Sequence, residues 1–287
     1  MKFRAPAKIN LSLAVLGKRP DGFHEIESLM VPLTLADTLE IEPLGGDMDG
    51  MGGMGGIEFS CSDPGLPADD GNLAVRAARR FFEAAKLPAS VRIRLTKEIP
   101  HGAGLGGGSS DAAATLAGLN AMHGSPLSGE AVHALAAEIG SDVPFFLAGS
   151  AALCRGRGER VEPVVFAESL PLLLVKPAFG VPTPWAYSRW KDSLELPGVP
   201  YGAQEFRWGR LVNDLERPVF EKYLFLGLLK KWLMEQPESV GALMSGSGAT
   251  CFSVLRDASG GPALEERVKR EFGEVWTCLC RGGNVKA

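Results

Sequence analysis

The stretch PHGAGLGGGSSDAAATL, residues 100–116, carries glycines at 102, 104, 106, 107 and 108 and then passes into residues that favour helix. Glycine loses more backbone entropy on folding than any other residue, so this density calls for something that comes close to the backbone. A tight turn needs one such glycine. A loop that cradles phosphate uses several, with their N–H groups joined by those of the helix N-terminus that follows. Ser109 and Ser110 would add hydroxyls at its mouth, within reach of a phosphate oxygen or a bound Mg²⁺. Other phosphate motifs fit worse. No lysine follows these glycines, which excludes the GxxxxGK[ST] loop. Gly102, Gly104 and Gly107 satisfy GxGxxG, but the strand before a dinucleotide loop should be apolar on both faces. Here Arg92, Arg94 and Thr96 give it a polar face. The acidic residue expected about 20 positions on is Glu130, which falls in a helix start.

The elements around the loop follow from periodicity. Phe3, Ala5, Ala7, Ile9, Leu11, Leu13 and Val15 alternate with polar residues, which predicts a half-buried strand. Lys8 and Asn10 then share its polar face, about 6–7 Å apart. Leu33, Leu35, Leu39 and Ile41 predict further strand, broken at Asp37-Thr38. The methionine- and glycine-rich stretch 44–56 reads as a flexible hairpin loop rather than a methionine metal site, and Ile57–Cys61 as the strand after it. Asn72 can cap a helix running to about Lys86, and Val91, Ile93 and Leu95 mark a strand. A helix from about Ser109 follows, then one capped by Ser128 and ended by Gly140. Asp142, after Gly140-Ser141 and before Pro144, suits a helix cap. Strands are expected near 150–154, 160–165 and 171–175, then a proline-aromatic loop, KPAFGVPTPWAYSRW. One amphipathic helix over 218–235 leads to two strands flanking a second glycine loop, SGSGAT, and a helix and strand close the chain. The mixture lacks strict βαβ alternation, so the class is α+β, with domains at 1–150 and 151–287.

Composition narrows the function. The chain has 287 residues, 45% hydrophobic and 22% charged, as expected of a globular protein with a sizeable core. A net charge of −4 leaves no basic excess for nucleic acid, while a small phosphorylated ligand needs only a local patch. No apolar run is long enough for a membrane span, and Lys8 and Asn10 interrupt the one stretch that looks like a signal peptide. Cys61, Cys154, Cys251, Cys278 and Cys280 form neither a disulfide framework nor a CxxC pair, which points to reduced thiols in the cytoplasm.

The central motif resembles that of the GHMP kinases, the family of galactokinase, homoserine kinase, mevalonate kinase and phosphomevalonate kinase. APAKINLSLAVLGKRPDGFHEIESL, GSDVPFFLAG and MSGSGATCFSV extend the resemblance, in order, over nearly the whole chain, and are similar to one branch of that family. The resemblance implies a two-domain fold with the active site in the cleft between domains. It also implies transfer of the γ-phosphate of ATP, as MgATP, to the 2-hydroxyl of a cytidine diphosphate-linked methylerythritol, in the non-mevalonate route to isoprenoid precursors. The enzyme would be a monomer or homodimer in the cytoplasm, with a small-molecule substrate and neither nucleic acid nor membrane as partner.

Carried onto this sequence, the resemblance makes Asp142 the base and Lys8 the cation beside it, with Asn10 orienting the hydroxyl. Residues Pro100, His101, Gly102, Ala103, Gly104, Leu105, Gly106, Gly107, Gly108, Ser109 and Ser110 would hold ATP, with Lys97 at the loop entrance. Asn72 would lie near the adenine, or serve as a plain helix cap. Phe23, where the family often has Tyr, would stack on a cytosine, with Tyr187 as the second ring and Trp185 as the alternative on the same loop. His24 would read the base edge and Thr183 would lie nearer the sugar-phosphate. Gly246, Ser247 and Gly248 would form a supporting loop against the phosphate site, or a simple tight hairpin. Metal ligands are not specified.

Overall fold

β1 (Lys2–Lys18) and β2 (His24–Pro43) form a long antiparallel pair that both halves of the molecule share. The computed structural model describes residues 1–44 and 56–283; the expected glycine-rich hairpin lies, over 45–55, outside the described residues. β2 was expected to break at Asp37-Thr38 and does not. Thr38 stays in register with Arg4 and Thr96, and Asp37 is fully buried because its carboxylate meets partners described below.

β3 (Ile57–Cys61) and α1 (Leu73–Ala85) follow, then β4 (Val91–Thr96), which is buried on one face and open on the other as its alternation predicts. Asn72 caps α1 by accepting from the Ala74 N–H at 3.0 Å. α2 (Gly107–Met122) lies close on the sheet: a Cβ at Gly118 would stand 2.8 Å from the Phe3 ring and 2.9 Å from Ile41. α3 (Gly129–Ile139) is capped by Ser128, and α4 (Val143–Ala148) follows directly. α1, α2 and α3 bury their apolar faces on β1, β2 and β4 in one core.

β5 (Ala152–Gly156) and β6 (Arg160–Pro163) lie beyond residue 150 yet add to the first half's sheet, where β5 pairs with β2. The remainder comprises β7 (Ser169–Pro177), α5 (Thr183–Ser188), β8 (Gln204–Phe206), β9 (Gly209–Asn213), α6 (Glu216–Lys222) and α7 (Leu224–Met234). β10 (Ser239–Met244), β11 (Cys251–Leu255), α8 (Gly261–Phe272) and β12 (Val275–Gly283) complete it. The sheet runs β10-β11-β7-β12-β2-β1-β9-β8, so β1 and β2 join the two halves.

Two expectations about this second half need correction. The proline-aromatic loop contains α5, because Pro184 sits in the helix's first turn, where a missing N–H costs nothing. The single helix expected over 218–235 is two, parted at Tyr223, whose ring stacks on Phe179 with centroids 5.4 Å apart. No helix among the described residues is long and apolar enough to cross a membrane.

Candidate active site

The polar face of β1 is not wet. Lys8 is 3% exposed and Asn10 1%, because the two glycine loops close over them. The Lys8 N–H donates to Leu105 O at 2.9 Å, which stitches the first loop to the strand. The Lys8 ammonium donates to Asn10 Oδ1 at 2.7 Å and to Gly104 O at 2.9 Å, and lies 3.7 Å from Asp142 Oδ2. Burial pushes its pKa below the ordinary lysine value, and the Asp142 charge opposes that shift. Asn10 also donates to Ser28 Oγ at 2.7 Å. Its amide therefore orients the lysine, where the expectation had it orient a substrate hydroxyl.

Asp142 occupies the N-cap position of α4, but its side chain makes no capping bond. The cap alternative is thereby corrected: the carboxylate, about a third exposed, faces the cleft and Lys8. A buried cation next to an accessible carboxylate can offset charge developing on oxygen.

The glycine loop turns through positive φ at Gly102, Gly104 and Gly106, so that α2 begins at Gly107 rather than Ser109. Its first internal bond is Ser110 N–H to Gly106 O at 2.9 Å, which leaves the N–H groups of Gly107, Gly108 and Ser109 without helical partners. These donors, with the positive end of a 16-residue helix, are arranged as an anion would need them. Gly104 faces the second loop so closely that a Cβ would lie 2.4 Å from Ser245 O and 2.8 Å from Gly248 O. The two loops are further tied by the Ser245 hydroxyl donating to Gly104 O at 3.0 Å and the Thr250 N–H donating to Ala103 O at 3.2 Å, while Thr183 Oγ1 and Ser247 Oγ, 2.7 Å apart, tie the second loop to α5. SGSGAT is thus a support for the first loop and not an isolated hairpin.

Several expected residues sit elsewhere than foreseen. Lys97 reaches the cleft wall at the loop entrance, and its ammonium is held under the loop between Asp37 and Asp111, where it counters buried carboxylates. Asp37 also accepts from the N–H groups of Glu98 and Ile99, at 2.6 and 2.9 Å. Burial, only partly offset by Lys97 and reinforced by Asp37, raises the Asp111 pKa to about 7, and its Oδ1 has no partner. Ser109 lines the cleft; Ser110 turns inward, 1% exposed, with its hydroxyl unpartnered. Gly248 lies behind the lining, under Gly104. Trp185 is off the cleft altogether, edge-on to Tyr223 and 4.5 Å from the Lys222 ammonium.

The remaining expected residues gather around one cleft of about 840 Å³, lined from both halves. Asn72, Pro100, His101, Ala103 and Leu105 line it together with Phe23, His24, Thr183 and Tyr187. The Tyr187 ring rests on His24 with centroids 5.3 Å apart. Burial, helped by Lys18 and Lys191, lowers the His24 pKa, so the ring is neutral near pH 7 and can both donate and accept. Burial raises the Tyr187 pKa, keeping its hydroxyl protonated.

Sequence reasoning missed Asp37, Asp111, Arg157 and Asn213. Asp37 did leave a signal, a charge inside an alternating apolar run, which a buried partner explains. Asn213 donates to Met244 O and Gly246 O at 2.8 and 2.7 Å, clamping the second loop. Nothing in its local sequence announces that role.

Residues 72–150 match the family model of the GHMP kinases N terminal domain, and residues 204–274 that of the GHMP kinases C terminal. A relative from Methylacidiphilum infernorum, named 4-diphosphocytidyl-2-C-methyl-D-erythritol kinase, is 46% identical over 256 residues, covering 88% of this chain and 85% of its own. A relative of the same name from Pelotomaculum thermopropionicum is 41% identical over 280 residues, covering 94% of each chain. A crystal structure of 4-(cytidine 5'-diphospho)-2C-methyl-D-erythritol kinase superposes with a TM-score of 0.79 at 36% identity, over 99% of this chain and all of that one. The chain belongs to the GHMP kinases, a family of ATP-dependent phosphotransferases, and within them to the 4-diphosphocytidyl-2-C-methyl-D-erythritol kinase family. The resemblance read from the motifs is borne out.

Proposed function

We propose that this chain transfers the γ-phosphoryl group of ATP to the 2-hydroxyl of 4-diphosphocytidyl-2-C-methyl-D-erythritol. The observation that carries this reading is the Lys8–Asp142 pair, set at 3.7 Å beside a glycine loop that opens a long helix. A tertiary alcohol is a poor nucleophile, so Asp142 takes its proton as the oxygen attacks. The Lys8 ammonium, aimed by Asn10 and Gly104, offsets charge on the alkoxide and on the moving phosphoryl group. The free N–H groups of Gly107, Gly108 and Ser109 hold the ATP phosphates, and Pro100, His101 and Asn72 border the nucleoside. Cytosine lies against Phe23 and Tyr187, with His24 at its edge and Thr183 near the sugar-phosphate.

Mg²⁺ would accompany ATP and neutralise phosphate charge. The cleft suits it: the Ser109 hydroxyl in its lining offers an oxygen ligand, within the usual small protein share when phosphates and water supply the rest. Among the described residues no cluster of three His, Cys, Asp or Glu side chains competes as an all-protein metal site. This reading places the enzyme in the cytoplasm, as monomer or homodimer, with no nucleic-acid partner. It also divides the chain into an ATP-binding half to about residue 150 and a second half that completes the cleft. ADP release from ATP, measured with and without the cytidyl substrate, tests the proposal. Release that depends on the substrate is expected; tight ATP binding without turnover would make the chain a silent nucleotide binder.

A further inference from the structure

Three of the cations in and beside the cleft are already matched. Lys8 faces Asp142, Lys97 faces Asp37 and Asp111, and Arg19, beside the rim, faces Asp21 and Glu25. Arg157 also lines the cleft, and among the described residues its guanidinium meets no carboxylate. It is nonetheless held in place. Its Cζ stands 4.9 Å from the Phe23 ring centroid, and one terminal nitrogen donates to Ala137 O. Its backbone N–H donates to the Glu159 carboxylate at 2.7 Å. Five N–H groups branch from a guanidinium, so most of this fork stays free to donate. Lys18 lines the same end without a carboxylate partner, but no side-chain hydrogen bond among the described residues fixes it.

Arg157 links two parts of the acceptor side. Its side chain lies over Phe23, while the next residue on the β5–β6 turn abuts the reacting carboxylate. A Cβ at Gly158 would lie 3.5 Å from Asp142 Oδ1 and 3.3 Å from Ser141 O. We infer that Arg157 binds the diphosphate of the acceptor substrate, donating its free N–H groups to the bridge between base and polyol. This inference rests on the substrate reading above: with the base at Phe23 and the reacting hydroxyl at Asp142, the diphosphate has to cross the space between them. A planar fork that donates two parallel bonds suits a diphosphate better than a flexible ammonium does.

The test is calorimetric titration of the parent, Arg157→Met and Arg157→Lys with cytidine and with CDP, and separately with ATP. Methionine keeps an unbranched apolar stem over Phe23 and removes the donors. CDP affinity should fall about 10- to 100-fold in Arg157→Met. Cytidine and ATP affinities should change less than about threefold, and Arg157→Lys should give an intermediate loss confined to CDP. Should the methionine variant not fold, the lysine variant still has to weaken CDP relative to cytidine. Equal weakening of cytidine and CDP would mean that Arg157 acts through the Phe23 ring, and unchanged CDP affinity that it does not touch the diphosphate; either overturns the inference alone. A parent that binds neither cytidine nor CDP would overturn the substrate reading and the inference together.

Discussion

Lys8 and Asp142 approach within 3.7 Å, yet the lysine side chain is 4% exposed and the aspartate 31%. The cation is locked in by Asn10 and Gly104 while the carboxylate remains free to meet a substrate. Asp142→Asn and Lys8→Met should each lower kcat by about 10²-fold or more, with ATP affinity nearly unchanged. Because Asp142 makes no capping bond, the melting temperature of Asp142→Asn should move little. A sharp fall in melting temperature with turnover retained per folded molecule would show that the residue is structural.

The pH profile should carry the mark of Lys8. Burial lowers its pKa against the opposing pull of Asp142, so the ammonium deprotonates below 10.5. An alkaline arm of kcat/KM with its midpoint under that value is expected, and stability contributed by this site should rise with pH across the same window, because the unfolded chain binds the extra proton. An arm at or above the ordinary lysine value would mean a solvated lysine.

Valine at Gly106 or Gly107 should cripple ATP binding, though for different reasons. Gly106 has φ +72°, and a side chain there would meet Phe146 and Lys8. Gly107 lies in the helix at ordinary φ, so only sterics act, against Ile99 and Lys97. Gly104→Ala should be as damaging, since it drives a methyl into the backbone oxygens of Ser245 and Gly248. Gly108→Ala meets only Leu73 at 3.6 Å and should fold normally. Near-normal KM for ATP in both valine variants would place the phosphates elsewhere.

Lys97→Met leaves Asp37 and Asp111 side by side in the interior and should cost about 3–5 kcal/mol of stability, read by denaturant unfolding. Asp111, raised to about 7 from 3.8, binds its proton more tightly folded than unfolded. It therefore contributes stability at acid pH that is lost as pH rises through 7. Measured against Asp111→Asn, the parent should lose ground between pH 4 and 7; parallel curves would contradict the raised pKa.

Base recognition should separate stacking from edge reading. Phe23→Ala and Tyr187→Ala should weaken CMP and UMP alike, by about 1–3 kcal/mol for each ring. His24→Ala should instead narrow the preference for cytidine over uridine nucleotides, since an acceptor at the cytosine amino group is what rejects uracil. Equal competitive inhibition by both nucleotides in the parent would refute the cytidyl assignment.

The sequence by itself determined what local patterns encode. The glycine loop, the caps at Asn72 and Ser128, the one-sided strand β4 and the family motifs were all legible, because each depends on residues a few positions apart. Tertiary structure decided what depends on distant neighbours. Alternation showed that Lys8 and Asn10 share a face, but only the closure of two loops from opposite halves made that face dry. Asp37 interrupts an apolar run and reads as a break; a lysine 60 positions away turns it into a buried ion pair within an unbroken strand. Asp142 sits where a cap belongs, and its side chain turns instead toward Lys8, while Pro144 in the first turn of α4 has no N–H for it to accept from. Arg157 and Asn213 carry no local signal at all. Their roles exist because folding brings a turn beside Phe23 and a strand end beside Gly246.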